Sequence, residues 1–575
     1  MANRFWVGGT ATWDATAGTK WATTSGGGGG AAVPTSSDAV FFDGASGAIT
    51  VTTSGSSTDT CLSIDFTGFT GTFDHASGTT VIVAGSATFV SGMTYTVAET
   101  SILQFTAAAT LTTGGKLIAK VQQSSNSALT LGDNLSFAAF KTCSLNLVSA
   151  LASLNMNGFS ISGNSATNRV LILSNTIGSA KSITNATTSF SNADFRDITF
   201  SSASSLDLSA ITGLSGDCGG NTITGGGSTL TFTTGATQTV TGSTGNWSTA
   251  SWSGRVPLPQ DDVVISLTAG QTLTADMPRI GKSISFGTST NFTMTLAHTM
   301  YGSLDLTGMG TLIESVSSLD LEGRTAGLTV TSAGKSHTRA FRIASIGGTY
   351  TFQDAFSSSN TLQHSSGTLT VSNFSVTAST YTGNLVVGTT RITNPGNGTW
   401  TISGQSTIWD TSLSGHTWNQ QGETIYLTSI AAATKTFAGG GKTFYALKIA
   451  AASVGSDIVV ITGANTFNQI YTDGGGTKAI TLPGSATTTI VSSQGLNNGT
   501  NVITFTASAG SATVAKSGGG TVQWNYVNLT NIPASTTNTW YAGTNSTDGG
   551  GNTNWLFQDA PVSARPNKMC LMGIG

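Results

Sequence analysis

The sequence predicts an all-β protein, a repetitive parallel β-helix or β-solenoid made of two homologous blocks. Three observations carry that reading: period-2 alternation, regular turn punctuation, and motifs that recur in order along the chain. Runs such as TTVIVAGSATFV (79–90), SILQFTAAATLTT (101–113), SLDLTGMGTLI (303–313), GTLTVSNFSVTA (367–378) and TVQWNYVNLTNI (521–532) alternate apolar residues with Thr or Ser. Such alternation marks strands with one buried face, and the β-branched residues suit them. Gly, Asn, Ser and Asp interrupt the runs every ~8–12 residues, and helical spacing is nowhere sustained. LASLNM (151–156) comes closest to it, between two strands. Short strands without intervening helices fit either a solenoid or a string of β-sandwich domains. Two features favour the solenoid. The 73 Gly and abundant Ser, Thr and Asn suit tight corners, and only 9 Pro interrupt a ladder.

Self-similarity divides the chain. FWVGGTATWDATAGTKWATT near the N-terminus, VPTSSDAVFFD (33–43) and CLSIDF (61–66) recur in order as GNWSTASWS (245–253), VPLPQDDVVI (256–265) and GKSISF (281–286). Trp13 and Trp21 thus correspond to Trp247 and Trp252, and the step from Pro34 to Asp38 to that from Pro257 to Asp261. The endings also align, NADFRDIT (192–199) with QWNYVNLT (523–530) and GDCGGNT (216–222) with TDGGGNT (547–553), and the step from Asp194 to Asp217 equals that from Asn525 to Asp548, 23 residues. The expected organisation is a first block, 1–235, a second, 236–558, and a C-terminal tail, 559–575. The second block carries roughly 100 extra residues, placed near 395–450. Met569, Cys570, Leu571, Met572 and Ile574 fit either a docking peptide or a disordered end.

The combination of WVGGTATW, VPTSSDAVFFD, TKTFAGGGKTFYALKI (434–449) and TWYAGTNSTDGGGNTNWLF (539–557) resembles Gly/Thr-rich β-helical modules of tailed-bacteriophage virion proteins, which also occur in some surface proteins of aquatic bacteria. The resemblance covers nearly the whole chain before the tail. It implies a fibre, spike or decoration and brings no set of functional residues with it.

Composition excludes several functions. Charged residues are 9% of the chain and the net charge is −3, too few cations for a nucleic-acid partner. The N-terminus lacks the apolar run of a secretory signal, and no stretch is long and apolar enough to insert in a membrane, so release by host lysis is the expected route. Cys61, Cys143, Cys218 and Cys570 are isolated, and His75, His298, His337, His364 and His416 lie far apart, without metal-binding spacing. The expectation is no metal, Ca²⁺ included, and no cofactor. GGGGG (26–30) lacks the Lys and Ser/Thr of a phosphate loop and reads as a flexible loop.

Glycoside hydrolysis needs two carboxylates, and three pairs qualify by spacing: Asp194 with Asp197, Asp261 with Asp262, and Asp320 with Glu322. The first pair faces Asn525 and Asn528 in the aligned ending, which points to turn-capping. Asp261 recurs as Asp38, again a turn cap. Asp320 and Glu322 alternate with leucines, as on a solvated strand face. The block-start tryptophans are expected to cap the open apolar core rather than to stack on sugars.

The sequence therefore points to a non-enzymatic virion structural protein, a tail fibre, spike or capsid decoration engaged in host attachment. Its partners would be other virion proteins, host surface glycans and copies of itself, as a trimer. A cell-surface adhesin and a polysaccharide depolymerase are the competing readings.

Overall fold

A computed structural model describes residues 1–561 apart from 14–17, 55–58, 203, 226–227, 316–317, 384–388, 451–457, 474–477, 492–495 and 498–499. The tail residues Met569, Cys570, Leu571, Met572 and Ile574 lie outside the described residues. The chain divides into two compact units, Met1–Thr325 and Ala326–Gly575. Each is a parallel β-solenoid. Among the described residues the one helical element is a single 3-10 turn, Gly44–Ser46.

In the first block, two eleven-stranded sheets and one of four strands wrap one apolar core. Alternation decides which side chains enter it. Val81, Leu103, Val121, Leu145, Ile172 and Phe195 pair in register from coil to coil, and all are buried. The residues between them point outward, where Thr and Asn meet across coils. Thr199 and Thr222 share a hydroxyl contact of 3.0 Å, and Asn185 donates to Asn155 at 2.8 Å. LASLNM follows the same rule, as a turn leading into the strand Ser153–Asn155, with Leu154 and Met156 inside.

A stack of parallel coils leaves its first edge open, and both blocks cover it in the same way. Trp21 and Ala22 run antiparallel against Trp6 and Phe5 of the first coil. Trp252 likewise bridges antiparallel to Val240 in the opening coil of the second block. Trp6, Trp13 and Trp21 are fully buried and pack edge to face, with centroids 5.0 Å and 5.3 Å apart. Trp247 is buried with Trp252 packed 4.7 Å away. These rings fill the end of the core. From there Phe42, Phe66 and Phe89 continue as a stacked column at 4.9 Å and 5.0 Å. The glycine run 26–30 is a loop without helix or strand. Gly30 N donates to Gly18 O and Ala31 N to Trp21 O, which ties the run to the cap.

In the second unit, a ten-stranded sheet spans strands from Ser336–His337 to Thr513–Lys516. The residues around 395–450 form ordinary in-register coils, including Thr399–Ile402, Thr424–Leu427 and Thr443–Ala450. Their core is aromatic: Trp400, Trp409, Trp418, Phe437 and Phe444 pack against Tyr381 and one another. Trp524, Trp540 and Trp555 form a further cluster at 5.0–6.0 Å near the end of the described chain.

Because each coil contacts only its neighbours, damage should stay local. Phe66→Ala, a change that costs ~3–5 kcal/mol in packed cores, is expected to speed amide exchange in the coils carrying Phe42 and Phe89. The Trp524–Trp540–Trp555 region should keep its protection. Hydrogen-exchange mass spectrometry reads both.

Candidate functional site

The repeated motifs build matching turns. Asp38 accepts from Thr35 N at 3.0 Å and Ala2 N at 3.2 Å, while Asp261 accepts from Leu258 N at 2.9 Å and Ala236 N at 2.8 Å. Each aspartate also faces an arginine, Arg4 or Arg255. Pro34 and Pro257 lead into these turns, so the Pro-to-Asp steps serve as turn caps in both blocks. The endings match as well. Asp217 accepts from Gly219 N and Asn221 Nδ2, and Asp548 from Gly550 N and Asn552 Nδ2. Asn221 Oδ1 then takes Ile198 N, and Asn552 Oδ1 takes Ile532 N.

This pattern corrects the aligned register. Asp197 N donates to Gly219 O as Asn531 N does to Gly550 O, and both residues have positive φ, at 55° and 57°. Asn192 and Tyr526 form the next matched pair of positive-φ residues, at 46° and 55°. Asp194 and Asp197 therefore correspond to Asn528 and Asn531, three residues beyond the positions reached by matching the letters. The backbone conformation, not side-chain identity, is what the two copies keep.

Asp194 is not a turn cap. It is 1% exposed and clamped between two guanidinium groups, Arg169 Nε at 2.7 Å from Oδ1 and Arg279 Nε at 2.6 Å from Oδ2. Arg169 also donates to the carbonyls of Ala193, Gly213 and Leu214. Beside this triad, Arg324 forks onto both oxygens of Asp197 at 2.6 Å, and Arg196 Nη1 reaches both oxygens of Glu322 at 3.0 and 3.1 Å. Lys141 pairs with Asp276. Each of these four contacts joins the first block to the opening coils of the second, so the two stretches are clasped side by side within the first unit. Asp320 and Glu322 are consequently not on a solvated face. They are 8% and 1% exposed, and Arg196 of the first block covers Glu322 from outside.

Glycines let the charges approach. A β-carbon on Gly216 would collide with the Asp194 carboxylate, and one on Gly220 with both Asp197 and Arg324. Gly220 also sits at φ 73°, open to few other residues. Burial works against the Asp194 carboxylate, but Arg169 and Arg279 outweigh it and hold its pKa below the usual value. That is opposite to the shift a general acid needs. Next to the clasp lies a cleft of 210 Å³ lined by Cys218, Pro259, Gln260, Lys282 and Tyr301. Burial pushes both the Cys218 thiol and the Tyr301 hydroxyl up, away from reactive ionisation.

The histidines are interior as well. His298 Nδ1 donates to Met277 O at 2.9 Å, while His75 meets the Tyr95 hydroxyl at 2.8 Å. His364 Nδ1, His416 Nε2 and the Tyr381 hydroxyl converge on Thr393 Oγ1 at 2.9–3.0 Å. Since His364 Nε2 donates to Gly367 O, its Nδ1 accepts the one Thr393 proton. With His364 neutral, His416 Nε2 and the Tyr381 hydroxyl then donate to Thr393 Oγ1, which closes the network. Burial lowers His75, His298 and His364 to about 4 and His416 to about 2. Among the described residues no three His, Cys, Asp or Glu side chains are grouped to hold a metal ion. No helix there is long and apolar enough to cross a membrane.

Sequence reasoning missed the four arginines, 169, 196, 279 and 324, because their partners lie up to 127 residues away. The Asp-to-Asn exchange between copies was their signal. It marks the copy that faces cations, not a site indifferent to charge. Searches of family models, curated proteins and solved structures find no match to this chain.

Two outcomes follow. Asp194→Asn strands two buried guanidinium groups and should cost about 3–5 kcal/mol, whereas Asp194→Asn combined with Arg169→Met and Arg279→Met recovers most of the loss; urea midpoints of the first unit's transition measure both. For His75, His298 and His364, the unfolded chain takes up protons below about pH 6.5 while the folded chain stays neutral to about 4. Stability should therefore fall as pH drops through that window, by up to about 3 kcal/mol per buried imidazole. A series of melts from pH 7.5 to 4 should show it, and replacing His75 by Gln should make the loss smaller by that one imidazole's share.

Proposed function

We propose that this chain is a non-enzymatic structural protein of a tailed-phage virion, a tail fibre, spike or capsid decoration that takes part in attachment to the host surface. The observation that carries the reading is the way the solenoid uses its chemistry-bearing groups. Acids and arginines clasp and cap coils, the histidines are buried, and the tryptophans pack inside the core or seal its ends. What remains outward is Thr, Ser and Asn on continuous ladders, a surface that stays soluble at low net charge and gives proteases few cleavable loops. Assembly as a homotrimer would cover edges and outer faces. The other partners in this reading are virion proteins and host glycans, and the protein is placed in the particle after assembly in the host cytoplasm. The tail 559–575 is assigned the docking role.

Mass spectrometry of purified particles, with copy number, tests this. A few to a few tens of copies per particle fits a fibre or spike and hundreds fit a decoration; absence from particles overturns the proposal. Turnover of host polysaccharide by the purified protein would favour a depolymerase instead. Deleting 559–575 should abolish incorporation into particles, and unchanged incorporation would remove the docking role.

A further inference from the structure

Two successive coils near the end of the first block differ in length on one side. Residues 185–189, five in all, join the strand Lys181–Thr184 to Phe190–Arg196. On the next coil ten residues, 202–211, join Ile198–Ser201 to Thr212–Asp217. The ends of the longer segment are pinned to the coil before, since Ile198 pairs with Lys181 and Thr212 with Ser191. The longer segment therefore overhangs the shorter one. It carries the strand Leu206–Asp207, which pairs with Leu230–Thr231 on the following coil. Among the described residues no strand of the preceding coil pairs with it. Where that rung is missing lies a cleft of 330 Å³, lined by Thr188, Phe190, Asp207, Ala210, Ile211 and Thr212.

The lining is sorted by chemistry. Phe190 and Ile211, 4% and 6% exposed, form an apolar floor, and Thr188, Asp207 and Thr212 stand exposed around it. Ser209 N donates to Asp207 Oδ1 at 2.9 Å and holds the carboxylate within its own turn. Among the described residues no cation faces Asp207, and the hydroxyls of Thr188 and Thr212 have no partner. The volume is at the low end for small-molecule sites, enough for one ring rather than a chain. A matching ligand needs an apolar face for the floor and hydrogen-bond donors along its edge for the carboxylate. A pyranose has both, in its C–H face and its ring hydroxyls. We propose that this cleft binds one neutral pyranose unit of a glycan, with adjacent ring hydroxyls donating to Asp207. Phe190 and Ile211 lie under the ring, and the two threonine hydroxyls meet its remaining oxygens. The same carboxylate rejects an acidic sugar, because nothing in the cleft neutralises a second negative charge. This inference rests on the attachment reading and gives it a site and a ligand class.

The test uses the full-length protein in saturation-transfer NMR titrations. The probes are the methyl glycosides of glucose, galactose, mannose and N-acetylglucosamine, with glucuronate as the acidic control. At least one neutral sugar should bind with a dissociation constant on the order of 1 mM, and glucuronate at least tenfold more weakly. Ala210→Trp puts a bulky ring at an exposed position in the cleft and should abolish binding. Asp207→Asn keeps an oxygen for Ser209 N; it should lower affinity at least tenfold and remove the discrimination against glucuronate. Both positions are exposed, so thermal melts of the variants should match the unaltered protein. Unchanged binding in both variants would put the sugar elsewhere and overturn the proposal. So would equal binding of glucuronate, or no binding of any of the four neutral sugars at about 20 mM. Such a failure, combined with the protein's presence in particles, removes the cleft and leaves the virion reading intact. Neutral-sugar binding in the cleft by a protein absent from particles does the reverse.

Discussion

A coil of a parallel β-solenoid completes its hydrogen bonds only through the coils on either side, and every other feature of this protein answers to that constraint. It explains why inward positions form columns such as Val81–Leu103–Val121–Leu145, since a residue of the wrong size is felt in the next coil at once. It explains why the coils around 395–450 pair in register with those before them. It also makes the ends the weak points, because an end coil exposes both a strand edge and the apolar core. Trp6, Trp13 and Trp21, and again Trp247 and Trp252, answer both exposures with one device, an antiparallel cover carrying bulky rings.

The start of a second block creates a further demand. Its opening coils do not simply extend the first ladder; they lie against the first block's flank. Ionic contacts join the two flanks. Asp194 between two arginines, Asp197 under Arg324 and Glu322 under Arg196 are directional and tolerate few alternatives. Buried ion pairs of this kind add little net stability against an apolar contact of equal size, and in some proteins they serve to select one arrangement. Here they set the register between the two flanks. The glycines of GDCGGNT belong to the same arrangement, since any side chain at Gly216 or Gly220 would displace a carboxylate.

The capping turns were legible because they are local. Pro34 to Asp38 and Pro257 to Asp261 lie four residues apart, and an aspartate at the end of such a step bonds backbone groups within its own loop. The clasp was not legible, because its partners are far apart in sequence. Asp320 and Glu322 alternate with leucines as solvent-facing residues do, and only the fold brings Arg196 of the first block over Glu322 from outside. The three-residue shift between copies has a related cause. Letters such as Asp and Asn recur often in a Gly/Thr/Asn-rich chain, whereas the positive-φ positions 192 and 197, matched by 526 and 531, can be located only from the backbone.

By itself, the sequence determined the all-β class, the parallel coils, the turn-capping aspartates and the tryptophan-started blocks. Each of these depends on patterns shorter than one coil, where periodicity and turn chemistry act directly. Tertiary structure alone decided which charges are buried together, which outer faces are covered, and which outward residues from different coils line up into a column. Those outcomes depend on coil length and on the packing of one stack against another, and neither is written into any single strand.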